Sequence, residues 1–328
     1  MATPSSNSSV SLGPWTRGFQ NFYDHTKAPP DTLAVAINVL IDADGTIRSS
    51  TGLKTTNGGP DLNADIHSVF PHKGRFFGVF RDTISEFFDG RHISLNFPVG
   101  KEVKWTVFED SPVFYNRDVI GKISLTDAAV GASGGTYIVK SEYPSDASTP
   151  EPAPHPYRDL FTASKRAMPT GGDVVRYWRS RLLVARGPML YISDPFMYST
   201  YDAVSGIIAL PGRIDFMEVV EGGVFVGLSE LGVYFLAGSS PENWQLKIAD
   251  VITGCKGTSL LIPTAGMKLD AQTRPEWVAV WLTCKGFALG LPNGSVIYPQ
   301  ADLLQNLTIG AAGRTTLYGD RLIVSFSK

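Results

Sequence analysis

The amino-acid sequence alternates between short apolar runs and turn residues along much of its length. The clearest examples lie within residues 174–238, where two hairpins of similar pattern follow each other. Their strands are 181–185 with 189–193, joined by a turn at 186–188, and 223–228 with 233–236, joined by a turn at 229–232. Each strand is rich in β-branched and aromatic residues, and Gly or Pro stands where the chain must reverse, which predicts β-hairpins. Nearly every position is apolar, which indicates strands covered on both faces.

Further hairpins of the same kind are predicted on both sides of this stretch. Their strands are 33–41 with 46–48, 75–80 with 83–88, 112–115 with 119–123, and 277–284 with 287–291. A last strand is predicted at 321–326, and we expect it to share a blade with strand 33–41, because ring closure removes an exposed sheet edge. Recurring hairpins covered on both faces are typical of blades stacked around an axis. The predicted fold is therefore all-β, a β-propeller.

The number of blades follows from the spacing of the turns. The turns lie near residues 45, 82, 117, 187, 231 and 294, so the intervals are 37, 35, 70, 44 and 63 residues. A blade needs about 40 to 50 residues, so the chain has room for about six to eight blades. The two long intervals could each hold a weaker hairpin or an insertion.

Two segments do not fit the strand pattern. Residues 1–30 are polar at first and then mixed with aromatic residues, and we predict a flexible or interface-docking arm that precedes a single propeller domain at 31–328. Residues 141–156 contain five prolines, which exclude a central strand or a helix and predict an exposed loop. That loop is either a tolerated surface insertion or a contact arm for a neighbouring subunit. A short helix is predicted at 157–168.

The composition supports a large folded core and excludes some classes of protein. The chain has 328 residues, of which 43% are hydrophobic and 18% charged, and 33 Gly and 22 Pro suit many short strands joined by turns. The net charge of −2 is not that of a protein that binds nucleic acid tightly and generally. Two cysteines, Cys255 and Cys284, make neither a disulfide framework nor a zinc motif, so we expect buried thiols.

The sequence also bears on targeting. Residues 1–14 are rich in Ser and Asn and lack a basic stretch followed by an apolar one, so we expect no signal peptide. Apolar runs all fall short of the roughly 18 residues that span a bilayer, so we expect no membrane-spanning segment.

We predict no catalytic, cofactor-binding or metal-binding residues. His67 and His72 flank a proline at a spacing unsuited to a shared metal. The hydrolase, metalloprotease and phosphate-loop motifs are absent from the sequence, and the glycines at 131–135 lie in a loose turn with no helix pattern after it. Four aspartates are the residues to test for a glycosidase, but they lie in or beside predicted turns, where Asp is favoured for local hydrogen bonds. They are Asp42, Asp82, Asp194 and Asp215.

Four segments resemble a known family of phage proteins. Residues 36–52 resemble the segment that opens the propeller in the tail nozzle (tubular tail) proteins of short-tailed bacteriophages. Three later segments, 181–196, 222–238 and 280–294, resemble blade hairpins of that family, and the resemblance extends over about residues 31–326. The chain departs from the family at Ser49-Ser50-Thr51, where basic residues often precede the glycine.

The resemblance implies a non-enzymatic structural protein of the virion. It implies a hexameric ring below the portal and adaptor that holds the packaged genome and conducts it during ejection, with tail fibre or needle proteins as further partners. Such a protein is made in the host cytoplasm and ends in the phage tail. Double-stranded DNA should pass through the lumen without tight binding, which suits 29 Lys and Arg against 31 Asp and Glu, because each phosphate contact adds affinity.

Two other functions remain open on the same fold. One is a propeller glycosidase or carbohydrate-binding module, which should show exposed aromatic side chains beside carboxylates on one rim. The other is a different phage component, such as a baseplate or fibre-attachment protein. A nozzle should instead have large interfaces on the sides of the propeller.

Overall fold

The structure is a computed structural model that describes most of the strands and the turns between them. The described residues are 18–19, 32–33, 39–41, 47–49, 66–80, 83–87, 91–93, 102–115, 120–123, 138–139, 165–169, 171–264, 276–299, 312–318 and 321–326. The predicted proline-rich loop at 141–156 and most of the predicted arm at 1–30 lie outside them. Among the described residues, no helix is long and apolar enough to cross a bilayer.

The described residues form 28 strands and one short 3₁₀ turn, Pro241–Asn243. The strands are β1 Gly18–Phe19, β2 Thr32–Leu33, β3 Val39–Ile41, β4 Ile47–Ser49, β5 Ile66–His72, β6 Arg75–Phe80, β7 Thr83–Phe87, β8 Arg91–Ile93, β9 Lys104–Phe108, β10 Ser111–Tyr115, β11 Ile120–Ile123, β12 Ile138–Val139, β13 Lys165–Ala167, β14 Val174–Trp178, β15 Arg181–Arg186, β16 Met189–Ile192, β17 Thr200–Asp202, β18 Ile207–Ala209, β19 Ile214–Val220, β20 Gly223–Leu228, β21 Gly232–Ala237, β22 Gln245–Asp250, β23 Leu260–Pro263, β24 Trp277–Thr283, β25 Gly286–Gly290, β26 Val296–Ile297, β27 Gly313–Tyr318 and β28 Arg321–Phe326.

Twenty of these strands form five four-stranded antiparallel sheets. In chain order, sheet 1 is β5-β6-β7-β8, sheet 2 is β9-β10-β11-β12, sheet 3 is β14-β15-β16-β18, sheet 4 is β19-β20-β21-β22 and sheet 5 is β23-β24-β25-β26. The first strands of successive sheets contact one another, and β27 continues the series after β23. First strands that meet in order around a centre, with the other strands extending outward, make this chain a β-propeller.

The apolar core lies between the sheets rather than inside any one of them. Five clusters of buried side chains each join a sheet to the next, from Phe77 of sheet 1 with Phe114 of sheet 2 to Val280 of sheet 5 with Leu322 of β28. Each middle sheet is therefore covered on both faces. All six residues of β20 are buried, which confirms the prediction made from its continuous apolar sequence.

The structure confirms the predicted hairpins, that of strand 33–41 through its described residues 39–41, and corrects one other prediction. In sheet 5 the second and third strands meet at 284–285, and the turn near 294 connects the third strand to the fourth, as expected. The predicted helix at 157–168 is wrong in its described part, because residues 165–167 form β13 and pair with β17. Within the described residues, neither long interval between turns contains an additional four-stranded sheet.

Two separate hairpins remain beside the five complete sheets. β27 pairs with β28, and β3 pairs with β4, each in a two-stranded antiparallel sheet. The described ladders do not join β28 to β3, so the predicted blade that closes the ring from both ends of the chain stays a prediction. The number of blades stays a prediction with it. The arm contributes β1, which pairs in parallel with β2.

The fourth strands, at the outer edges of the sheets, differ in length. Four of them contain two or three residues, whereas β22 in sheet 4 contains six. Short edge strands limit unwanted pairing with other chains, so β22 presents the longest open edge among these five sheets.

Candidate functional site

The first strands of the sheets surround a central cavity of about 1020 Å³. It lies at the beginnings of these strands, where they and β27 come together. The first strands of sheets 1 to 4, the segment just before β23 and the strand β27 all contribute to its wall. The lining residues that matter below are Phe70, Glu102, Lys104, Trp105, Asp173, Arg176, Asp215, Lys256, Arg314 and Thr315.

An ion pair between neighbouring sheets forms part of the wall. Arg176 of β14 donates from Nε to Oε2 of Glu218 of β19 at 3.1 Å and from Nη2 to Oε1 at 2.5 Å. Its Nη1 donates to the Val175 carbonyl at 2.9 Å. The Glu218 side chain is only 2% exposed. Burial alone would lower the pKa of Arg176, but Glu218 more than offsets this effect, so the pKa is raised and the guanidinium stays charged.

A second charged group spans the cavity from sheet 2 to β27. The Glu102 carboxylate accepts from Lys104 Nζ at 2.7 Å and also from Arg314 Nη2. Glu102 and Arg314 are about half exposed or more, so each pair alone contributes little to stability. The pairs instead fix positions, because one carboxylate holds a cation of β9 and a cation of β27.

Two more carboxylates are satisfied without a cation from the cavity wall. Asp173 accepts from Arg213 Nη2 at 2.9 Å and from the Gly187 amide at 3.0 Å. Asp215 accepts from the Ser229 hydroxyl at 2.6 Å. Both acids lie just before or at the start of a first strand, which is why they reach the cavity.

Two polar groups of the wall have no partner within the described chain. The half-buried Lys256 side chain makes no hydrogen bond or ion pair there. The Oγ1 atom of Thr315 is buried without a hydrogen-bond partner among the described residues. Buried polar groups are normally paired, so the Thr315 hydroxyl is an exception. The Lys256 ammonium group is half-buried and lines the cavity, so it can bind a group that enters it.

Aromatic rings form the side of the cavity next to sheet 1. Phe70 stacks on Trp105 with ring centroids 5.6 Å apart and an angle of 4° between the planes. Trp105 Nε1 donates to the Ser68 carbonyl at 2.6 Å, so the polar edge of the indole is satisfied within the wall. Ser68 has a φ of 56°, and the pairing of β5 with β6 shifts register beside it, which turns this part of β5 toward the cavity.

The electrostatic environment of Lys104 reflects this crowded wall. Burial lowers the pKa of its ammonium group, the carboxylate of Asp173 raises it, and the guanidinium of Arg176 lowers it again. The net direction is downward. Lys104 therefore lies among both signs of charge, close enough to Arg176 for the two cations to disfavour each other.

The wall of this cavity offers cations, carboxylates and aromatic rings that can bind a ligand. A glycosidase needs two carboxyl groups in separate roles. Here Glu102 and Asp173 are held by cations, and only Asp215 lacks one. Groups of three or more potential metal ligands are absent from the described residues.

The aspartates singled out in the sequence do not come together. Asp215 lines the cavity, but Asp194 lies elsewhere, in contact with Lys165 and Thr200. Asp42 and Asp82 lie outside the described residues. His72 contacts the Asp110 carbonyl through Nε2 at 2.9 Å. Neither cysteine forms a disulfide; Cys255 is buried as expected, whereas Cys284 is only half-buried. Burial raises the pKa of the Cys255 thiol.

Sequence reasoning missed the cavity charges, and one signal could have identified some of them. Arg176 and Glu218 are charged residues inside strands that are mostly apolar, which is unusual in a buried strand. Glu102 and Arg314 carry no comparable signal, because they are 212 positions apart and meet only when the sheets of the chain have packed around the propeller axis.

Comparison with known proteins gives likenesses of fold. No family model and no curated protein matches the chain. Among solved structures, an extracellular domain from B. thetaiotaomicron is 10% identical over 83% of this chain and 33% of that chain, with a TM-score of 0.46. The N-terminal BBS1 domain in complex with ARL6 is 11% identical over 80% and 75%, with a TM-score of 0.48. The WD40 β-propeller domain of Doa1 is 10% identical over 72% and 68%, with a TM-score of 0.37.

This chain spans only 27% and 33% of the lengths of two such extracellular-domain structures. At identities of this size the comparisons concern fold alone. The fold itself is established by the sheets described above: the chain is an all-β propeller whose first strands enclose a charged central cavity.

Proposed function

We propose that this chain is a non-enzymatic structural subunit of a short phage tail. In this proposal its copies form a hexameric nozzle ring below the portal and adaptor, with tail fibre or needle proteins as neighbours. The ring retains the packaged genome and conducts double-stranded DNA during ejection. The protein resides in the virion.

The observation that carries the proposal is where the family-like segments fall in the fold. Residues 181–196 include β15 and β16, residues 222–238 include β20 and β21, and residues 280–294 include most of β24 and β25. These are the second and third strands of sheets 3, 4 and 5. The resemblance therefore repeats at one structural position in successive sheets, as expected for a likeness between propellers rather than between unrelated turns.

The central cavity is not a DNA conduit in this proposal. Its volume of about 1020 Å³ is that of a small-molecule site, and charged side chains bridge it. Duplex DNA would instead pass through a lumen enclosed by several subunits. Each propeller would then be one segment of the wall.

A ring of subunits needs contact surfaces on the outside of each propeller. Phe196 and Val204, in the connections between β16 and β18, are 67% and 83% exposed, and Val251 after β22 is 79% exposed. Phe196 also has a φ of 61°, which is rare and strained for a bulky residue. These side chains support subunit contacts at the outer connections of sheets 3 and 4.

Measurement of the mass of the purified protein in solution, followed by imaging of any ring, tests the assembly. A six-membered ring with an open centre is the expected result. A protein that stays monomeric at high concentration and also lacks a position in isolated phage particles would overturn the proposal.

Titration with duplex DNA tests the conduit. At ~50 and ~200 mM salt the expected binding is weak throughout, because a conduit makes few phosphate contacts. Tight binding at the lower salt concentration that collapses at the higher one would identify a DNA-binding protein instead.

A further inference from the structure

The cations that line the central cavity outnumber its acids by one. The cations are Lys104, Arg176, Lys256 and Arg314, and the acids are Glu102, Asp173 and Asp215. Behind the wall, Glu218 neutralises Arg176 and Arg213 neutralises Asp173, so these two outer partners leave the balance unchanged. Of these four cations, Lys256 has no hydrogen-bond or ion-pair partner in the described chain.

Several hydrogen-bond donors of the wall remain available. An arginine side chain has five N–H groups, and Arg176 uses three in the contacts with Glu218 and Val175. Among the described residues, the Lys256 ammonium group has no acceptor, so it retains all of its donors. Lys104 lies within electrostatic range of Arg176. An anion between these two cations would relieve their repulsion.

We propose that the central cavity is a binding site for a small organic anion whose carboxylate or phosphate group is held by Lys256, Lys104 and Arg176. The cavity has the volume of a typical small-molecule site, about 300 to 1,000 Å³. Enclosed clefts lined by one excess charge concentrate the opposite charge from solution. The stacked rings of Phe70 and Trp105 supply an apolar surface for the rest of the molecule. The site belongs to a single chain and does not depend on ring assembly.

Glu102 acts as an internal competitor at this site. Its carboxylate contacts both Lys104 and Arg314, so it pairs with cations that an incoming anion could bind. Removal of its charge frees two cations at once. Loss of Glu102 is therefore expected to strengthen anion binding, whereas loss of Lys256 weakens it.

Calorimetric titration of the full chain at low ionic strength tests the site, with citrate and inorganic phosphate as probes and glucose as a neutral comparison. Screening is weak below about 20 mM salt, so the titrations are done there. Saturable binding of citrate or phosphate, one ion per chain, is expected, and the preferred probe identifies the group as carboxylate or phosphate. Preference for glucose, or no saturation by either anion up to ~1 mM, would overturn the proposal.

Two variants and a control test whether the anion binds in this cavity, because the two variants should change its affinity in opposite directions. Lys256→Gln should weaken binding by about tenfold or more, the effect of one charged hydrogen bond. Glu102→Gln should tighten it severalfold. Lys247→Gln, an exposed lysine of β22 remote from the cavity, is the matched control and should bind as the unmodified chain does.

Denaturant unfolding establishes that each variant is folded before the titration is interpreted. Lys256 and Glu102 are not part of the apolar clusters, so both variants should fold. Weaker binding by Glu102→Gln, or equal binding by Lys256→Gln and Lys247→Gln, would show that the anion binds elsewhere and would end the proposal.

Discussion

The ion pair of Arg176 and Glu218 places two charged side chains between sheets 3 and 4. The carboxylate of Glu218 is almost completely buried, and Arg176 satisfies both of its oxygens. Removal of one member of such a pair leaves a buried charge without compensation, whereas replacement of both by apolar residues is often nearly neutral. The pair therefore matters for stability mainly when it is broken.

Replacement of Arg176 by Met should lower the free energy of unfolding by about 3 to 5 kcal/mol, because Glu218 would stay buried and unpaired. The double change Arg176→Met with Glu218→Leu should recover most of that loss. Urea denaturation followed by tryptophan fluorescence measures both. The control is Arg213→Ala, which breaks the half-exposed pair with Asp173 and should cost about 1 kcal/mol or less. Equal losses from Arg176→Met and Arg213→Ala would contradict the assignment.

The Tyr115 hydroxyl predicts a specific response to alkaline pH. It is buried without a hydrogen-bond partner in the described chain, and burial raises its pKa far above the usual value. Below about pH 10 both the native and the unfolded chain keep this proton. At higher pH the unfolded chain releases it first, so the contribution of Tyr115 to stability falls as pH rises.

Tyr115→Phe should therefore reduce the loss of stability between about pH 9 and pH 11, and should leave stability at pH 8 unchanged or slightly higher. Lys104 shifts stability in the opposite direction, because its pKa is lowered, so the comparison is made between variants at each pH. Urea midpoints across the pH series provide the measurement, with Tyr177→Phe as the control. An unchanged pH dependence in Tyr115→Phe would refute the argument.

At the level of strands, the sequence predicted the second and third strands of the sheets better than the first. β15, β20 and β24 are continuous apolar runs, because sheets cover both their faces. The first strands carry polar residues toward the cavity, such as Lys104 and Arg176, which breaks the apolar pattern. Their existence depends on what surrounds them after folding, and a local pattern does not contain that information.

The candidate site was less predictable than the fold for a related reason. Its members come from different sheets and from β27, and most of them, such as Glu102 and Lys256, are unremarkable in their own segments. Arg176 and Glu218 are 42 positions apart, so their contact requires sheets 3 and 4 to be adjacent. Spacing rules identify sites within one strand or helix. This site instead forms when the sheets of one chain pack around the propeller axis.

The hairpin between β19 and β20 makes a close contact with sheet 5 that predicts a strong size limit. A Cβ atom added at Gly222 would lie 2.0 Å from the Pro292 carbonyl oxygen, so main chain rather than a flexible side chain would have to move. Gly222→Ala should lower the free energy of unfolding by about 3 kcal/mol, at the upper end for overpacking.

Gly74→Ala, in the equivalent hairpin of sheet 1, is the matched control. Nothing lies within 4 Å of its added Cβ, but its φ of 75° costs a non-glycine residue about 1 kcal/mol. Thermal and urea unfolding of the two variants measure the difference. If Gly222→Ala were no less stable than Gly74→Ala, the close contact between sheets 4 and 5 would be absent in solution.

At the scale of the whole molecule, one prediction about the fold remains: strands from both ends of the chain should share a blade and so close the propeller. β28 pairs with β27, and its Leu322 packs against the cluster of sheet 5. Deletion of residues 321–328 should expose that cluster and the edge of β27, giving insoluble or strongly destabilised protein. Deletion of 327–328 alone leaves β28 complete and should have little effect. Unchanged solubility and melting in the longer deletion would count against closure.

The placement of the core between consecutive sheets also affects how the chain folds as it is made. Sheet 1 ends at Ile93, but the residues that cover its Phe77 and Val79 extend to Ile123, so about 30 further residues must emerge first. At ~5 to 20 residues per second, that apolar face stays open for roughly two to six seconds. A delay of this kind recurs at each later sheet, and after sheet 2 it is about twice as long. The growing chain therefore carries one uncovered face throughout synthesis, and slower translation lengthens the time in which neighbouring nascent chains can associate through it.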